Sequence, residues 1–156
     1  MSKEQKSNCE QATDINSIYA EAITLGKDNF RQTGCDELPD QFAIMLKYAP
    51  KTFAGYALMR AGAMREKGEG GALDIKTKSL IFILLCIMTD DIANAALHLK
   101  NAVKNGMTMP EFAEALTQVL MVGGISRWNK GCAGLLAEAE SMFAEQGPVK
   151  PFDGIL

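Results

Sequence analysis

The chain has 156 residues, which is enough for one domain with a hydrophobic core and too few for two ordinary domains. It carries a net charge of −3 and no run of basic residues, so we expect no nucleic-acid partner. The N-terminal stretch MSKEQKSNCEQATDINS lacks the apolar core of a signal peptide. The longest apolar run, residues 80–88, is shorter than the roughly 20 residues of a membrane span. These features predict a cytoplasmic protein with no membrane partner.

Apolar residues recur at helical spacing through the first half of the chain, and no segment alternates as a strand does. This spacing predicts helices over residues 12–31, 41–49 and 50–66. The loop TGCDELPD, residues 33–40, separates the first two helices, and Pro50 fits the first turn of the third. The first half is therefore predicted to be all-α.

A second group of helices follows the glycine-rich hinge KGEGGA, residues 67–72. Asp74 is a predicted N-cap for a helix that runs to residue 88 and is nearly apolar on all sides after Ser79. Such a helix is expected to be buried on every face, in a larger core or between subunits. The next helix is predicted to end at Asn105, with Gly106 in the left-handed conformation.

The last third of the sequence shows clear helix starts and stops. Thr108 to Glu111 form a capping box at the start of a helix that Gly123 and Gly124 interrupt. A last helix is predicted over residues 126–144. We divide the chain into three parts: an N-terminal helical extension, a helical domain and an irregular tail, at residues 1–35, 36–147 and 148–156.

His98 is the only histidine of the chain and lies one helical turn after Asn94. At this spacing the Asn94 side chain can hydrogen-bond the imidazole and fix its tautomer. Asp91 lies on the same stripe about 10 Å further back along the axis. The competing interpretation is a histidine that only packs within the fold. One histidine and scattered aspartates do not form a metal-ligand set, and no phosphate-binding loop follows a strand, so no metal and no cofactor are expected.

The four cysteines, at positions 9, 35, 86 and 132, form no CxxC motif. Cys86 lies inside the apolar run and is expected to be a small buried hydrophobic residue. An even number of cysteines does not predict a disulfide framework in a chain expected in the cytoplasm.

Several short motifs occur together in a fixed order within residues 72–125: TKSLI, LHL, GMTMPEF, EALTQVL and GGI, preceded by YAPKTFAGY. In this order and spacing the chain resembles the carboxymuconolactone decarboxylase family, whose superfamily includes the alkylhydroperoxidase D-type proteins. The resemblance implies an all-α, alkylhydroperoxidase D-like bundle of about six helices. It also implies a homo-oligomer, a trimer or hexamer, in which helices interdigitate between subunits.

The family has two functional arms that differ at particular positions. The alkylhydroperoxidase-like arm carries a CxxC motif, a histidine after it and a glutamate on the preceding helix. Here the cysteine positions are occupied by Asp91 and Asn94 and the glutamate position by Ser79, so only His98 remains. Neither a carboxylate nor an amide can form a mixed disulfide or a sulfenate, which disfavours peroxidase activity. The decarboxylase arm resembles the chain better, and its asparagine after the glycine break is kept as Asn129.

The resemblance implies a cofactor-free lyase that removes carbon dioxide from a small carboxylated lactone or ring acid. His98 would be the proton donor and Asn94 the residue that orients it. Arg127 would hold a substrate carboxylate through its planar guanidinium.

Three further residues are assigned to substrate binding. Trp128 would form an apolar wall of the pocket, and Asn129 and Asp91 would contact the substrate. Each of these residues has a structural alternative. Trp128 would be an interface anchor, Asn129 a helix cap and Asp91 a helix-terminal carboxylate. The alternative for Arg127 is a solvent-exposed or inter-subunit ion-pair residue.

Two other functions stay open at the level of sequence. The first is a thiol antioxidant that uses an unpaired cysteine such as Cys132, which requires a low thiol pKa beside Arg127 or Lys130. The second is a catalytically silent oligomeric binding protein that kept the fold and lost the chemistry.

Overall fold

The computed structural model describes residues 3–33 and 35–145, with side chains from residue 16 onward. Seven α-helices and one π-helical turn make up this part of the chain. In order they are α1 Lys3–Gln32, α2 Asp40–Tyr48, α3 Pro50–Ala63, α4 Ile75–Met88, α5 Ile92–Lys104, α6 Met109–Arg127, the π-turn Trp128–Cys132 and α7 Ala133–Glu145. The only extended pairing among these residues is an isolated bridge between Lys67 and Gly71. The all-α prediction is confirmed.

The backbone separates into two compact units, Met1–Arg65 and Glu66–Leu156. The first contains α1 to α3, and the second contains α4 to α7. The predicted irregular tail at 148–156 lies outside the described residues, and the three-part division stays a prediction. No helix within residues 3–33 and 35–145 is long and apolar enough to cross a bilayer.

The first unit is organised around aromatic side chains of its three helices. Phe53 is fully buried, and the Phe42 ring stacks on Tyr56 with centroids 4.7 Å apart. The guanidinium of Arg60 lies over the ring of Phe30, 4.2 Å from its centroid, as cation–π attraction favours. Burial lowers the pKa of Arg60, because the apolar surroundings penalise its charged form.

The second unit has a core built from all four of its helices and the π-turn. Its fully buried large side chains include Ile83, Ile87, Leu99, Phe112, Leu116 and Leu135. On α4 the burial is one-sided, because Ile81, Phe82 and Leu85 are exposed by 42%, 41% and 60%. Helix α4 is therefore not buried on every face by its own chain, and its burial between subunits stays a prediction. Helix α4 packs against α5, α6 and the π-turn, which leave its other side uncovered.

The helix boundaries follow local chemistry. The Asp74 carboxylate accepts a hydrogen bond from the Thr77 backbone N–H at 2.7 Å and so caps α4. Thr108 and Glu111 form the predicted capping box of α6. Gly106 follows α5 with φ of 84°, in the left-handed region. All three predictions are confirmed.

The end of α6 departs from regular helix, as its glycines predicted. Gly124 has φ of 71° and ψ of 176°, a conformation that is open to glycine and strained for other residues. A single π-helical turn follows, which the sequence did not reveal. Within it Gly131 lies so close to α4 that a Cβ would sit 2.5 Å from the Ile87 side chain. The lack of a side chain at Gly131 therefore allows this turn to pack against α4.

Candidate functional site on the α4–α5 helix pair

Two side-chain contacts, one turn apart, join α4 to α5. The Nδ2 of Asn101 donates a hydrogen bond to the Ser79 hydroxyl at 2.7 Å. One turn further along α4 and one turn back along α5, the Phe82 ring stacks on His98. This order of contacts is that of two antiparallel neighbours. We call the first contact the polar rung and the second the aromatic rung.

The aromatic rung carries the predicted proton donor. The ring centroids of Phe82 and His98 are 4.4 Å apart, and the ring planes differ by 7°. His98 is half-buried, whereas Phe82 is exposed by 41%. The imidazole therefore lies at the surface of the second unit, within reach of a ligand or of a second chain.

Asp91 and Asn94 lie at the start of α5, before His98. The Asp91 carboxylate caps α5 by accepting from the Asn94 backbone N–H at 3.3 Å, and it also accepts from Asn94 Nδ2 at 3.0 Å. Asp91 is thus the helix-terminal carboxylate that the sequence left open as an alternative. Because its Nδ2 donates to Asp91, the oxygen of the Asn94 amide is the acceptor that this side chain has to offer.

Arg127 reaches from the end of α6 to the end of α4. Its Nη1 pairs with the Asp90 carboxylate and donates to the Ile87 carbonyl at 3.4 Å. Asp90 has a positive φ of 64°, a region that aspartate tolerates better than most residues. Arg127 therefore forms an ion pair within the chain, whereas the sequence alternative was a solvent-exposed or inter-subunit pair. Since Asp90 precedes Asp91, this contact adjoins the start of α5.

Trp128 and Asn129 follow Arg127 in the π-turn and have different surroundings. Trp128 is half-buried and packs against the core of the second unit. Asn129 is exposed and lies inside the π-turn, where no side-chain cap forms. The alternative role of Asn129 as a cap of the last helix is therefore wrong. The unpredicted π-turn occupies the place where that helix was expected to begin.

The polar rung is a feature that the sequence analysis missed. Ser79 and Asn101 are 0% and 1% exposed, and Asn105 donates to the Asn101 side-chain oxygen at 3.1 Å and to its carbonyl at 2.7 Å. The available signal was a serine and an asparagine on otherwise apolar helix faces. Ser79 stands where alkylhydroperoxidase-like proteins carry their glutamate, and here it serves as an acceptor for Asn101.

The buried thiols do not have the properties that the antioxidant hypothesis requires. Cys132 is fully buried, and burial raises its pKa above the ordinary value. Burial also raises the pKa of Cys86, with a smaller contribution from the negative charge of Asp91. A low thiol pKa at Cys132, as that hypothesis predicts, is contradicted by its apolar surroundings.

Other candidate sites among the described residues do not overlap the predicted one. A cleft in the first unit is lined by Lys27, Arg31, Asp36, Glu37, Leu38 and Ala43, none of which was predicted as a site residue. Across residues 3–33 and 35–145, no three histidine, cysteine or acidic side chains are grouped as a metal ion would require. The predicted site residues instead fall in two places, with Asp91, Asn94 and His98 on or beside α5, and Arg127, Trp128 and Asn129 at the end of α6 and in the π-turn.

The fold is an all-α bundle, and a comparison of the sequence with protein families identifies its class. The sequence model of the carboxymuconolactone decarboxylase family matches residues 50–137, which is more than half of the chain. The chain therefore belongs to the carboxymuconolactone decarboxylase family. The matched span runs from the start of α3 into α7 and includes both rungs and Arg127.

A solved structure supports the same fold. The crystal structure of a "putative carboxymuconolactone decarboxylase" from Burkholderia xenovorans LB400 is similar, with a TM-score of 0.75 and 22% sequence identity. The match covers 85% of this chain and 99% of that chain. At this identity the likeness shows a shared fold. A comparison with curated proteins found no match.

Proposed function

We propose that the protein is a cofactor-free lyase of the decarboxylase type that acts on a small carboxylated lactone or ring acid, with His98 as the proton donor. The observation that carries the proposal is the position of His98, which is half-buried on the outer side of the α4–α5 pair. It is the only histidine of this chain, which belongs to the decarboxylase family. Family membership alone leaves the activity open. The proposal therefore depends on what this group and its neighbours can do chemically.

The reaction needs one proton and no redox step. Loss of carbon dioxide breaks a carbon–carbon bond and leaves the electron pair delocalised over the lactone. A proton must then reach carbon, and an oriented imidazolium can deliver it and recover a proton from solvent. A positioned general acid of this kind contributes about 10²- to 10⁴-fold to the rate.

Asn94 is the proposed orienting group for this imidazole. It precedes His98 by one helical turn, and its Nδ2 is held by Asp91. The amide oxygen can then accept from the imidazole N–H, which fixes the tautomer. Asp91 also adds negative charge at this end of the stripe.

Arg127, Trp128 and Asn129 are proposed to bind the substrate from the end of α6. Arg127 already pairs with the carboxylate of Asp90, so its guanidinium is directed toward the type of group that the substrate carries. A substrate carboxylate can replace the exposed Asp90 carboxylate as the partner of the Arg127 guanidinium. Trp128 offers an apolar wall and Asn129 an exposed amide beside it.

Turnover and thermal stability together test the proposal. Carboxymuconolactone is the first probe, followed by muconate-like diacids and aromatic acids. A ligand whose free concentration is a hundred times its dissociation constant adds about 2.7 kcal/mol to the free energy of unfolding. We expect carbon dioxide release from carboxymuconolactone, reduced about 10²- to 10⁴-fold in His98→Ala. Lys100→Ala changes an exposed residue of the same helix and serves as the control.

The other outcomes of this experiment separate the alternatives. A stabilising ligand that is not turned over would support a silent binding protein. Equal turnover in the wild type and in His98→Ala would remove His98 from the mechanism. No turnover and no stabilisation by any of the three chemical classes would contradict the proposal.

We also propose that the chain forms a homo-oligomer, a trimer or hexamer. Large apolar side chains are exposed on three helices of the second unit: Ile81, Phe82 and Leu85 on α4, Leu97 on α5, and Leu120, Met121, Val122 and Ile125 on α6. Met121 and Val122 are each 78% exposed. Monomers seldom expose so many large apolar groups, and further copies of the same chain would cover them.

Light scattering on the purified protein tests the assembly. A mass of three or six times the 16.9 kDa chain is expected. Val122→Glu places a charge on the exposed apolar set and should dissociate the oligomer, because an unpaired charge is costly to bury. Gln118→Glu adds the same charge one turn earlier on α6 and is the matched control. A wild-type mass of one chain would contradict the oligomer.

A further inference from the structure

The contact between Phe82 and His98 has a geometry that restricts the imidazole. Two nearly parallel rings with centroids 4.4 Å apart are stacked, so Phe82 covers part of one face of the imidazole. Both nitrogens of an imidazole lie in its ring plane. The contact therefore does not cover the nitrogen-bearing edge, while it limits rotation of the ring about its side-chain bonds.

The polar rung holds this contact in register. Ser79 lies one turn before Phe82 on α4, and Asn101 lies one turn after His98 on α5. Their buried hydrogen bond opposes sliding of the two helices, because a slip would leave buried polar groups without partners. The position of the Phe82 ring relative to His98 is thus fixed from inside the core.

Burial within one chain does not account for an aromatic residue at position 82. Phe82 is 41% exposed, and its neighbour Ile81 is 42% exposed, so both leave much of their apolar surface uncovered. The two differ in their contacts, since Phe82 stacks on the imidazole. Within one chain, the contact that distinguishes the phenyl ring is therefore its stack on His98.

We propose that Phe82 is the positioning residue of His98, and that its ring holds the imidazole plane so that a nitrogen at the edge is directed toward the substrate. The consequence for turnover rests on the proposed function, whereas the consequence for the ring itself does not. Proton transfer depends steeply on alignment, and a displacement of about 1 Å can lower a rate about 10²-fold.

The experiment uses the single histidine as a spectroscopic probe. With one imidazole in the chain, its two carbon-bound protons give signals in the proton NMR spectrum that no other histidine can obscure. A phenyl ring stacked face-on shifts these signals upfield. Phe82→Leu should move them downfield, and Phe82→Tyr, which keeps an aromatic ring, should restore the wild-type positions.

Ile81→Ala is the matched control. It removes apolar surface of nearly equal exposure from the same helix without touching the stack. If positioning is the role of Phe82, the rate constant kcat for carboxymuconolactone falls by about 10- to 10²-fold in Phe82→Leu. It recovers in Phe82→Tyr and stays within about twofold of the wild type in Ile81→Ala. A common loss in both Phe82→Leu and Ile81→Ala would indicate a disturbed surface or assembly and would overturn the proposal.

Failure of the positioning role of Phe82 can be distinguished from failure of the proposed lyase function. Histidine signals that do not differ between the wild type and Phe82→Leu would show that the rings are not stacked and would overturn the inference. Shifted signals with unchanged kcat would show a stack that does not position the imidazole for chemistry, and would also overturn it. Absence of turnover in the wild type would contradict the proposed function, while the signals of Phe82→Leu and Phe82→Tyr would still decide whether Phe82 sets the ring.

Discussion

The polar and aromatic rungs join the same two helices one turn apart, yet they differ in nearly every physical property. Ser79 and Asn101 are buried and joined by a hydrogen bond of 2.7 Å. Phe82 and His98 are partly exposed and held by ring contact. The buried contact combines polar groups, whereas the surface contact combines an apolar ring with a titratable one. Polar side chains are usually exposed and aromatic ones usually buried, so the two rungs reverse the common pattern. The buried polar contact fixes the register of the helices, and the surface contact leaves the imidazole partly exposed.

The comparison indicates where stability and chemistry reside in the helix pair. A buried polar group costs free energy unless it is hydrogen-bonded, so the polar rung resists any change of register. A partly exposed imidazole can meet a ligand. We therefore expect variants of the polar rung to lower mainly the free energy of unfolding, and variants of the aromatic rung to change mainly ligand binding and turnover.

The largest expected effect on stability comes from breaking the polar rung on one side. Ser79→Ala leaves the Asn101 amide buried without its acceptor, which should cost about 1–3 kcal/mol of unfolding free energy. Chemical denaturation with an unchanged m-value would measure the loss. The helix propensity of alanine offsets part of the cost, so a loss near the lower end is also consistent.

A double variant tests whether the hydrogen bond itself is responsible. Ser79→Ala combined with Asn101→Leu replaces both partners by apolar groups and should recover most of the loss. Asn105 keeps its hydrogen bond to the carbonyl of residue 101 in this background. If the double variant were less stable than Ser79→Ala alone, packing around the rung and not the hydrogen bond would dominate.

The starts of helices could be predicted from the sequence because the determinants are local. Asp74 caps α4, and Thr108 and Glu111 cap α6, through contacts within three residues. The end of α6 was only partly predictable. Gly124 marked the kink, but the π-turn that follows depends on Gly131 packing against Ile87, a contact 44 positions apart in numbering.

The sequence placed Asn94 and His98 on one helix stripe but revealed neither their partners nor the contacts of Ser79, Phe82 and Asn101. Helical spacing placed Asn94 and His98 on one stripe, and the structure adds that the Asn94 amide binds Asp91. The stack of Phe82 on His98 joins two helices, so no periodicity within one helix could reveal it. Arg127 was recognised as an ion-pair candidate, but its partner Asp90 is 37 residues away.

A smaller effect on stability is expected where Arg127 meets Asp90, beside the two rungs. The Asp90 side chain is 66% exposed, and such ion pairs contribute about 0–1 kcal/mol. Arg127→Gln should therefore lower the unfolding free energy by no more than about 1 kcal/mol, while it weakens binding of carboxymuconolactone. Asp90→Asn removes the same ion pair, tolerates the positive φ and keeps the guanidinium, so it should retain the ligand. Equal loss of ligand in both variants would assign Arg127 to structure alone.

The smallest expected effect is a pH dependence of the unfolding free energy. It arises from carboxylates at the starts of α4 and α6, away from both rungs. Hydrogen bonds from Lys76 and from the Thr108 backbone lower the pKa of Glu111 below its ordinary value of 4.5. The Thr77 backbone N–H likewise lowers the pKa of Asp74 below 3.8. Because a lowered pKa means that the folded state favours the carboxylate, this stabilisation is complete above those ordinary values. It is lost as the pH falls through the lower pKa values of the folded state.

Glu111→Gln tests this linkage and separates it from the helix pair. The variant keeps the capping box, since glutamine can also accept from the Thr108 backbone, but it loses the charge that Lys76 contacts at 2.9 Å. Unfolding free energy measured between pH 7 and pH 3 should fall less steeply than in the wild type, with a difference below about 1 kcal/mol at neutral pH because the pair is partly exposed. Ser79→Ala carries no titratable change and should keep the wild-type slope at lower stability. A steeper acid loss in Glu111→Gln would mean that Glu111 binds protons more readily when folded, opposite to the direction its contacts with Lys76 and Thr108 require.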